Sequence, residues 1–158
     1  MAIVKIEDLP LLLKKNQRIL GIDFGDKSIG LSLSDTRAKI ASPFKTLKSK
    51  TLKKDANEIV TIIEEFDVGA IVIGMPYHMN GTEGDRCHKT KNFIHNFLAV
   101  YDCPVVTWDE RLSTKAVEST MITGDLSRKK RGKIIDKAAA AYILQGALDY
   151  LLLHLPKS

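Results

Sequence analysis

The sequence predicts an α/β fold, in which one mixed sheet carries helices on its faces. Residues 18–48 contain three extended segments joined by connections too short for parallel crossovers, so they form an antiparallel meander. After residue 50, segments with helical periodicity alternate with short apolar strands, which is typical of parallel strands linked by helices. The 158 residues fit one such domain, predicted at 18–155 behind an N-terminal arm at 1–17.

The first strand, predicted at 18–24, ends on an acid. Residues 19–22 form a continuous apolar run, as in strands buried on both faces, and Asp23 follows them directly. A carboxylate at this place is costly to desolvate unless a metal ion or a hydrogen-bond donor faces it. Aspartate is also common in turns, although Asp26 already fills that role in the turn at 25–28. From these residues alone, the functional and the turn interpretations of Asp23 are equally good.

The later elements follow from changes in hydrophobic period. Apolar residues three and four apart indicate amphipathic helices, and short apolar runs indicate buried strands. The meander continues with strands predicted at 29–34 and 40–48. Then come a helix at 51–66, a strand at 69–76, a polar loop at 77–85, a helix at 85–100, a strand at 104–111, a short helix at 114–123, a basic loop at 127–133 and a closing helix at 133–153.

Composition and charge exclude several classes of protein. No apolar run reaches the roughly 18 residues that span a bilayer, and the N-terminal apolar patch lacks a basic start, so we expect neither a membrane span nor a signal peptide. Cys87 and Cys103 lack ligand spacing and are interpreted as small buried residues in a reducing cytosol. The net charge is +5, and the stretch 127–133 holds five positive charges, which become important only beside a site that handles phosphate.

Three acidic positions lie where this fold class places its sites. Asp23 ends the first strand, the pair Asp109–Glu110 ends the last strand, and Asp136 lies on the closing helix. In open α/β sheets, sites gather at the carboxyl ends of parallel strands, so the acids at the strand ends are expected to come together.

Asp136 is predicted to face the sheet. Ala140, Ile143 and Ala147 follow it at spacings of four, seven and eleven residues, which places Asp136 on the apolar stripe of the closing helix. An acid in the first turn of a helix is also favoured by the helix dipole, but a capping acid need not point toward the core. The geometry therefore favours the functional interpretation.

Three carboxylates form a hard oxygen ligand set, which suits Mg²⁺ or Mn²⁺ and not zinc. Such ions activate water in phosphodiester cleavage, and the basic loop before Asp136 is well placed to bind a polyanionic backbone. Gly25 is expected to leave room beside Asp23 for the ion or the substrate. The four histidines show no metal-pair spacing, and the sequence contains neither a GxSxG motif nor a P-loop.

The chain contains, in this order, the stretches GIDFGDKSIGLSLSD, IVIGMPYHMNGTEG, WDERLST and IDKAAAAYILQ. Together they resemble the YqgF family of bacterial RNase H-like nucleases, also called RuvX. The resemblance implies an RNase H-like fold with a mixed five-stranded sheet, and a cytoplasmic hydrolase that acts on nucleic acid. It also implies the role usually proposed for the family, 5′-end processing of pre-16S rRNA in ribosome biogenesis, with ribosomal particles as expected partners. Holliday-junction resolution, by analogy with the RuvC resolvases, is the alternative.

Carried over by position, the family's acids match Asp23, the pair Asp109–Glu110 and Asp136. Within the pair, Glu110 is the expected ligand, because strand alternation sends Asp109 to the opposite face. Asp23, Glu110 and Asp136 are therefore the candidate catalytic residues and ligands of Mg²⁺ or Mn²⁺. The expected substrate contacts are Lys27, Asn80, Thr82, Arg111, Arg128, Lys129, Lys130 and Arg131.

The first turn departs from the family pattern. The family's usual Gly-Thr-Lys is replaced by Gly25-Asp26-Lys27, so that a negative charge stands where a hydroxyl is common. Asp26 is expected either to repel a phosphate or to offer another metal ligand.

Two functions of other classes compete with the nuclease. The strand–Asp–x–Gly turn is shared with actin-like ATPases and sugar kinases, but those proteins need two duplicated domains, whereas 158 residues provide one. A nucleic-acid-binding protein with little catalysis would need only the basic residues. The sequence shows no dimer surface, and the chain is expected to be a monomer or a homodimer. A junction resolvase would need a symmetric dimer.

Overall fold

A computed structural model describes residues 3–112 and 128–154, with the side chains of 112 and 128–134 left out of the description. The strands are β1 (Arg18–Phe24), β2 (Ser28–Ser34), β3 (Ala41–Lys48), β4 (Val68–Met75) and β5 (Val105–Asp109). The helices are α1 (Leu9–Leu12), α2 (Leu52–Glu65), α3 (Asp85–Val100) and α4 (Arg128–His154), and short 3₁₀ turns occupy Ile6–Asp8 and Glu110–Leu112.

The five strands form one mixed sheet in the order β3-β2-β1-β4-β5. Strands β1, β2 and β3 pair antiparallel, whereas β4 pairs parallel with both β1 and β5. This arrangement confirms the predicted antiparallel meander followed by parallel strands. It also brings the carboxyl ends of β1, β4 and β5 to one edge of the sheet.

Helices cover both faces of the sheet. On one face, α2 and α3 contribute Ile59 and Phe93 to a large apolar core, and on the other face α4 contributes Ile143 and Leu148. Strand β4 supplies residues to both cores, which explains why it reads as a continuous apolar run. Each fully buried aliphatic side chain of this kind stabilises the fold by about 1.5–3 kcal/mol.

Helix α4 lies unusually close to β1 and β2. A Cβ added at Gly30 would lie 2.0 Å from the main-chain oxygen of Asp136, and one added at Gly21 would lie 2.9 Å from that of Ala140. Ser32 Oγ donates a hydrogen bond to the same Ala140 oxygen at 2.8 Å. Small residues on β1 and β2 therefore set the height of α4 above the sheet and so the place of Asp136.

The loop predicted at 127–133 is wrong, because α4 already begins at Arg128. Lysine and arginine are good helix formers, and one interior glycine, Gly132, costs only about 1 kcal/mol. The charge run is compatible with a loop and equally with the first turns of a helix. The helix predicted at 114–123 lies outside the described residues.

The N-terminal arm packs on the start of β5. The main-chain amide of Val4 donates to the Val105 oxygen at 2.9 Å, and Leu9 is fully buried. Cys87 and Cys103 are buried free thiols, as predicted. In the described part of the chain, no helix is long and apolar enough to cross a membrane.

Candidate active site

Asp23 lies near the end of β1, opposite Gly30 of β2. Its Oδ1 atom is buried and has no hydrogen-bond partner among the described residues. Burial, followed by the negative charges of Glu110 and Asp136, raises the pKa of Asp23 to about 7, against a weaker opposing effect of Arg86. This carboxyl group therefore lies in surroundings that disfavour its ionised form.

Glu110 begins the 3₁₀ turn that follows β5 and is only 7% exposed. Gly74 of β4 makes room for it, because a Cβ at position 74 would lie 3.0 Å from Glu110 Oε2. Burial raises the pKa of Glu110, while Arg86, whose Nη2 atom is 3.9 Å from Glu110 Oε1, acts in the opposite direction. A second buried acid thus lies at the carboxyl edge of the sheet.

Asp136 enters the site from α4. Its main chain lies directly over Gly30, which is the cross-strand neighbour of Asp23. Ser28 Oγ donates a hydrogen bond of 2.5 Å to Asp136 Oδ2 and orients the carboxylate. Ala140, Ile143 and Ala147 are fully buried, which confirms the predicted core-facing stripe of this helix.

The three acids have the chemistry that a divalent cation requires. Their charges oppose the ionisation of Asp23, so a bound cation would relieve both the repulsion and the unsatisfied Oδ1 atom. Carboxylate oxygens are hard ligands that suit Mg²⁺ or Mn²⁺. Within the described ranges, no group of three or more His, Cys, Asp or Glu side chains is already arranged to hold a metal ion. Binding one ion through all three acids therefore requires their side chains to move closer together.

Asp109 is engaged elsewhere. It forms a salt bridge with Arg111, with 2.5 Å between Arg111 Nη2 and Asp109 Oδ2, and the guanidinium lowers the pKa of Asp109. Arg111 also donates to the Met79 oxygen at 3.3 Å and lies over the Tyr77 ring. The predicted phosphate contact Arg111 therefore already links the end of β5 to the polar loop after β4.

The polar loop is closed by its own side chains. Asn80 Oδ1 accepts hydrogen bonds from the main-chain amide of Thr82 at 3.1 Å and from its hydroxyl at 2.7 Å. Gly81 has φ +88°, a conformation that glycine adopts without strain. Glu83 pairs with Lys91 of α3. Asn80 and Thr82, predicted as substrate contacts, therefore hold the loop in shape.

Asp26, in the turn between β1 and β2, forms an ion pair. Its carboxylate pairs with Lys89 of α3 at 3.1 Å on the exposed surface, while Lys27 beside it is exposed. Gly25 has a local role, since a Cβ there would lie 2.8 Å from the Ser28 oxygen that accepts a hydrogen bond from the Gly25 amide. The room that Gly25 is expected to leave beside Asp23 stays a prediction. Gly25 is needed for the tight turn itself.

Two residues of the site were missed by the sequence analysis. Ser28 orients Asp136, and Arg86 approaches Glu110 from the first turn of α3. A polar residue in a turn and a basic residue in a helix carry no local signal of these contacts. The predicted contacts Arg128, Lys129, Lys130 and Arg131 lie in the first turns of α4, ahead of Asp136.

Comparison with known proteins decides the family. The model of the RuvX family, described as Holliday junction resolvase, matches residues 17–150. The chain belongs to this family.

Curated relatives support the membership over nearly the whole chain. A protein of Methylocella silvestris named "Putative pre-16S rRNA nuclease" is 46% identical over 149 residues, covering 94% of this chain and 92% of its own. A Brucella ovis protein of the same name is 47% identical over 151 residues, covering 96% and 93%.

Solved structures support the fold. Thermus thermophilus RuvC in complex with a Holliday junction substrate has a TM-score of 0.54 at 10% identity, covering 87% of this chain and 96% of its own. The fowlpox virus resolvase in complex with Holliday junction DNA has a TM-score of 0.54 at 13% identity, covering 86% and 99%. These likenesses show the fold alone, and the expected RNase H-like architecture is confirmed.

Proposed function

We propose that this RuvX-family chain is a metal-dependent nuclease that hydrolyses phosphodiester bonds in the 5′-end processing of pre-16S rRNA. The observation that carries the proposal is the buried Asp23 carboxylate, which faces Glu110 and Asp136 at the carboxyl edge of the sheet. The names of the relatives in Methylocella and Brucella support the choice of RNA. A cytoplasmic location and contact with ribosomal particles follow from that substrate.

Asp23, Glu110 and Asp136 are proposed to hold Mg²⁺ or Mn²⁺. A bound divalent ion supplies a polarised phosphoryl oxygen and an activated water. The protein's own contribution is to keep three acids together in a partly dry edge of the sheet, with Ser28 holding the Asp136 carboxylate in one orientation. Arg86 limits the charge repulsion between Asp23 and Glu110 before the substrate arrives.

The substrate contacts are proposed in two groups. Lys27 and the basic first turns of α4, at residues 128–131, bind the nucleic acid backbone through charge. Asn80, Thr82 and Arg111 also shape the loop beside the acids, through the bonds of Asn80 with Thr82 and of Arg111 with the end of β5.

Cleavage of a labelled RNA that spans the 5′ end of 16S rRNA, in the presence of Mg²⁺, tests the proposal. We expect wild type to cut, Asp23→Asn to lose more than about a hundredfold in rate, and Asp26→Asn to cut like wild type. Asp26 is a matched control, since it is a nearby acid that pairs with Lys89 on the surface. Equal cutting by Asp23→Asn and wild type would remove the carboxylate site from the mechanism.

Holliday-junction resolution is the second candidate, because the description of the matching family model names that activity. The same variants are to be tested on a four-way DNA junction. Symmetric, Asp23-dependent cutting of the junction without any cutting of the RNA would favour the resolvase. That activity also requires a symmetric dimer, which sedimentation measures directly.

A further inference from the structure

A second basic segment of the chain lies apart from 127–133. Between Asp35 and Asp55 there is no acidic residue, whereas residues 37–54 contain seven positive charges. They are Arg37, Lys39, Lys45, Lys48, Lys50, Lys53 and Lys54. The net charge of the whole chain is only +5, so this segment, like 127–133, departs strongly from the average. We call residues 37–54 the β3 basic segment.

The β3 basic segment follows the free edge of the sheet. Strand β3 is the outermost strand on its side, and its two lysines, Lys45 and Lys48, are exposed. Lys50 lies in the connection, and Lys53 and Lys54 are exposed in the first turn of α2. At about 3.3 Å per strand residue, the charges from Lys45 to Lys50 extend over ~17 Å.

The β3 basic segment reaches the rim of the candidate active site at Lys48. Lys48 is the cross-strand partner of Ser28, the residue whose hydroxyl binds Asp136. Side chains of directly opposed residues leave the same face of a sheet with Cβ atoms about 5 Å apart. The amide of Ser49 also donates to the Lys27 oxygen at 3.0 Å, so Lys27 adjoins the segment.

Most of these charges form no ion pair with the residues that the structure describes. Lys50 Nζ lies 3.8 Å from Glu58, and the buried Asp55 accepts a hydrogen bond from the Lys50 amide. Lys45, Lys48 and Lys54 form no ion pair with any described residue. Lys45 and Lys48 are three residues apart, so their side chains leave opposite faces of β3, and the segment presents positive charge to solvent on both faces of the free edge.

Protection of the sheet edge explains only part of the pattern. Lysines on an edge strand prevent pairing with another sheet, which would account for Lys45 and Lys48. It does not account for Lys53 and Lys54, which lie on α2 beyond the strand. A polyanion that leaves the acid site past Lys48 toward the start of α2 would contact these two lysines as well.

We propose that the β3 basic segment is a second nucleic-acid backbone-binding surface, which guides the substrate between the acid site and the first turn of α2. The proposal rests on the proposed function, because it takes nucleic acid to be the substrate. Its chemistry is non-specific: lysine ammonium groups bind phosphates and release counterions, so the surface strengthens binding without selecting a base sequence.

The test measures RNA binding by fluorescence anisotropy in EDTA, so that no hydrolysis occurs, over a series of KCl concentrations. The triple variant Lys45→Gln, Lys48→Gln, Lys54→Gln is expected to lower the slope of log affinity against log salt by about 2–3, since each lost phosphate contact removes roughly 0.7–0.9. Affinity at ~0.1 M salt should fall on the order of tenfold or more.

The matched control removes the same number of charges at the other end of the sheet. Lys5, Lys14 and Lys15 are exposed on the N-terminal arm, which packs at the start of β5 and β4. Their triple glutamine variant should keep the slope and affinity of wild type. Equal losses in both variants would mean that only net charge matters and would overturn the proposal. Thermal unfolding of each variant checks that the fold is intact.

The binding result is separable from the nuclease result. Mg²⁺-dependent cleavage of the same RNA, with Asp23→Asn as the inactive variant, tests the nuclease proposal alone. If wild type cleaves the RNA and the triple variant of Lys45, Lys48 and Lys54 binds with the wild-type slope, these lysines do not bind the substrate. The proposed binding surface is then refuted. If wild type binds no RNA at any salt concentration, the surface is refuted together with its substrate.

Discussion

Asp23→Asn is expected to stabilise the protein in the absence of divalent metal. The pKa of Asp23 is raised from 3.8 to about 7 by burial and by the neighbouring charges of Glu110 and Asp136. A raised acid pKa means that the folded state binds the proton more tightly than the unfolded state does. The contribution of Asp23 to the free energy of unfolding therefore falls as the pH rises from about 4 to 7 and is constant above that. Asparagine cannot ionise, so Asp23→Asn does not lose this stability as the pH rises.

The size of this gain in stability follows from the pKa shift of Asp23. One pKa unit corresponds to about 1.4 kcal/mol, so the full shift sets a ceiling of about 4 kcal/mol at pH 8. Side-chain rotation and partial access of water to Asp23 reduce this, and we expect a gain of about 2 kcal/mol in Asp23→Asn. For a chain of this size, that gain raises the melting temperature by roughly 4–8 °C.

The assay is thermal unfolding in EDTA at several pH values between 5 and 8.5. The advantage of Asp23→Asn should grow up to about pH 7 and then stay constant. Asp109→Asn is the control with the opposite sign, because Arg111 lowers the pKa of Asp109 and its charge is favourable. Mg²⁺ should raise the melting temperature of wild type more than that of Asp23→Asn. An Asp23→Asn variant no more stable than wild type at pH 8 would refute the reasoning.

Three further substitutions test the packing and polar contacts of the site. Gly30→Ala should cost at least about 2 kcal/mol in the free energy of unfolding, because the new Cβ would overlap the Asp136 oxygen; a loss under ~0.5 kcal/mol would contradict the close contact. Ser28→Ala should slow RNA cleavage about tenfold while changing the free energy of unfolding by ~1 kcal/mol or less, and unchanged cleavage would count against its orienting role. Arg86→Gln should lower the Mg²⁺ concentration needed for half-maximal thermal stabilisation, since a positive charge leaves the acid site; Lys89→Gln, at a surface ion pair, should leave it unchanged.

Much of the fold was predictable from local pattern. The predicted first strand at 18–24 coincides with β1, because an apolar run meets turn residues at Gly25. The start of α4 was not predictable from charge, since the run at 128–131 is compatible with either a loop or a helix. That Asn80 and Thr82, the predicted substrate contacts, also bond to each other was not predictable, because a loop that closes on its own side chains has the same composition as a polar binding loop.

Residue patterns alone were enough to predict the mixed sheet, the acid at the end of β1 and the core-facing stripe that carries Asp136. Each of these depends on residue spacing within one element, which the strand and helix periods translate directly into faces. The pairing of Asp109 with Arg111, the burial of Glu110 and its approach by Arg86 were visible only once the elements were packed together. Such contacts depend on how closely separate elements approach, and the raised pKa of Asp23 depends on the burial that this approach creates.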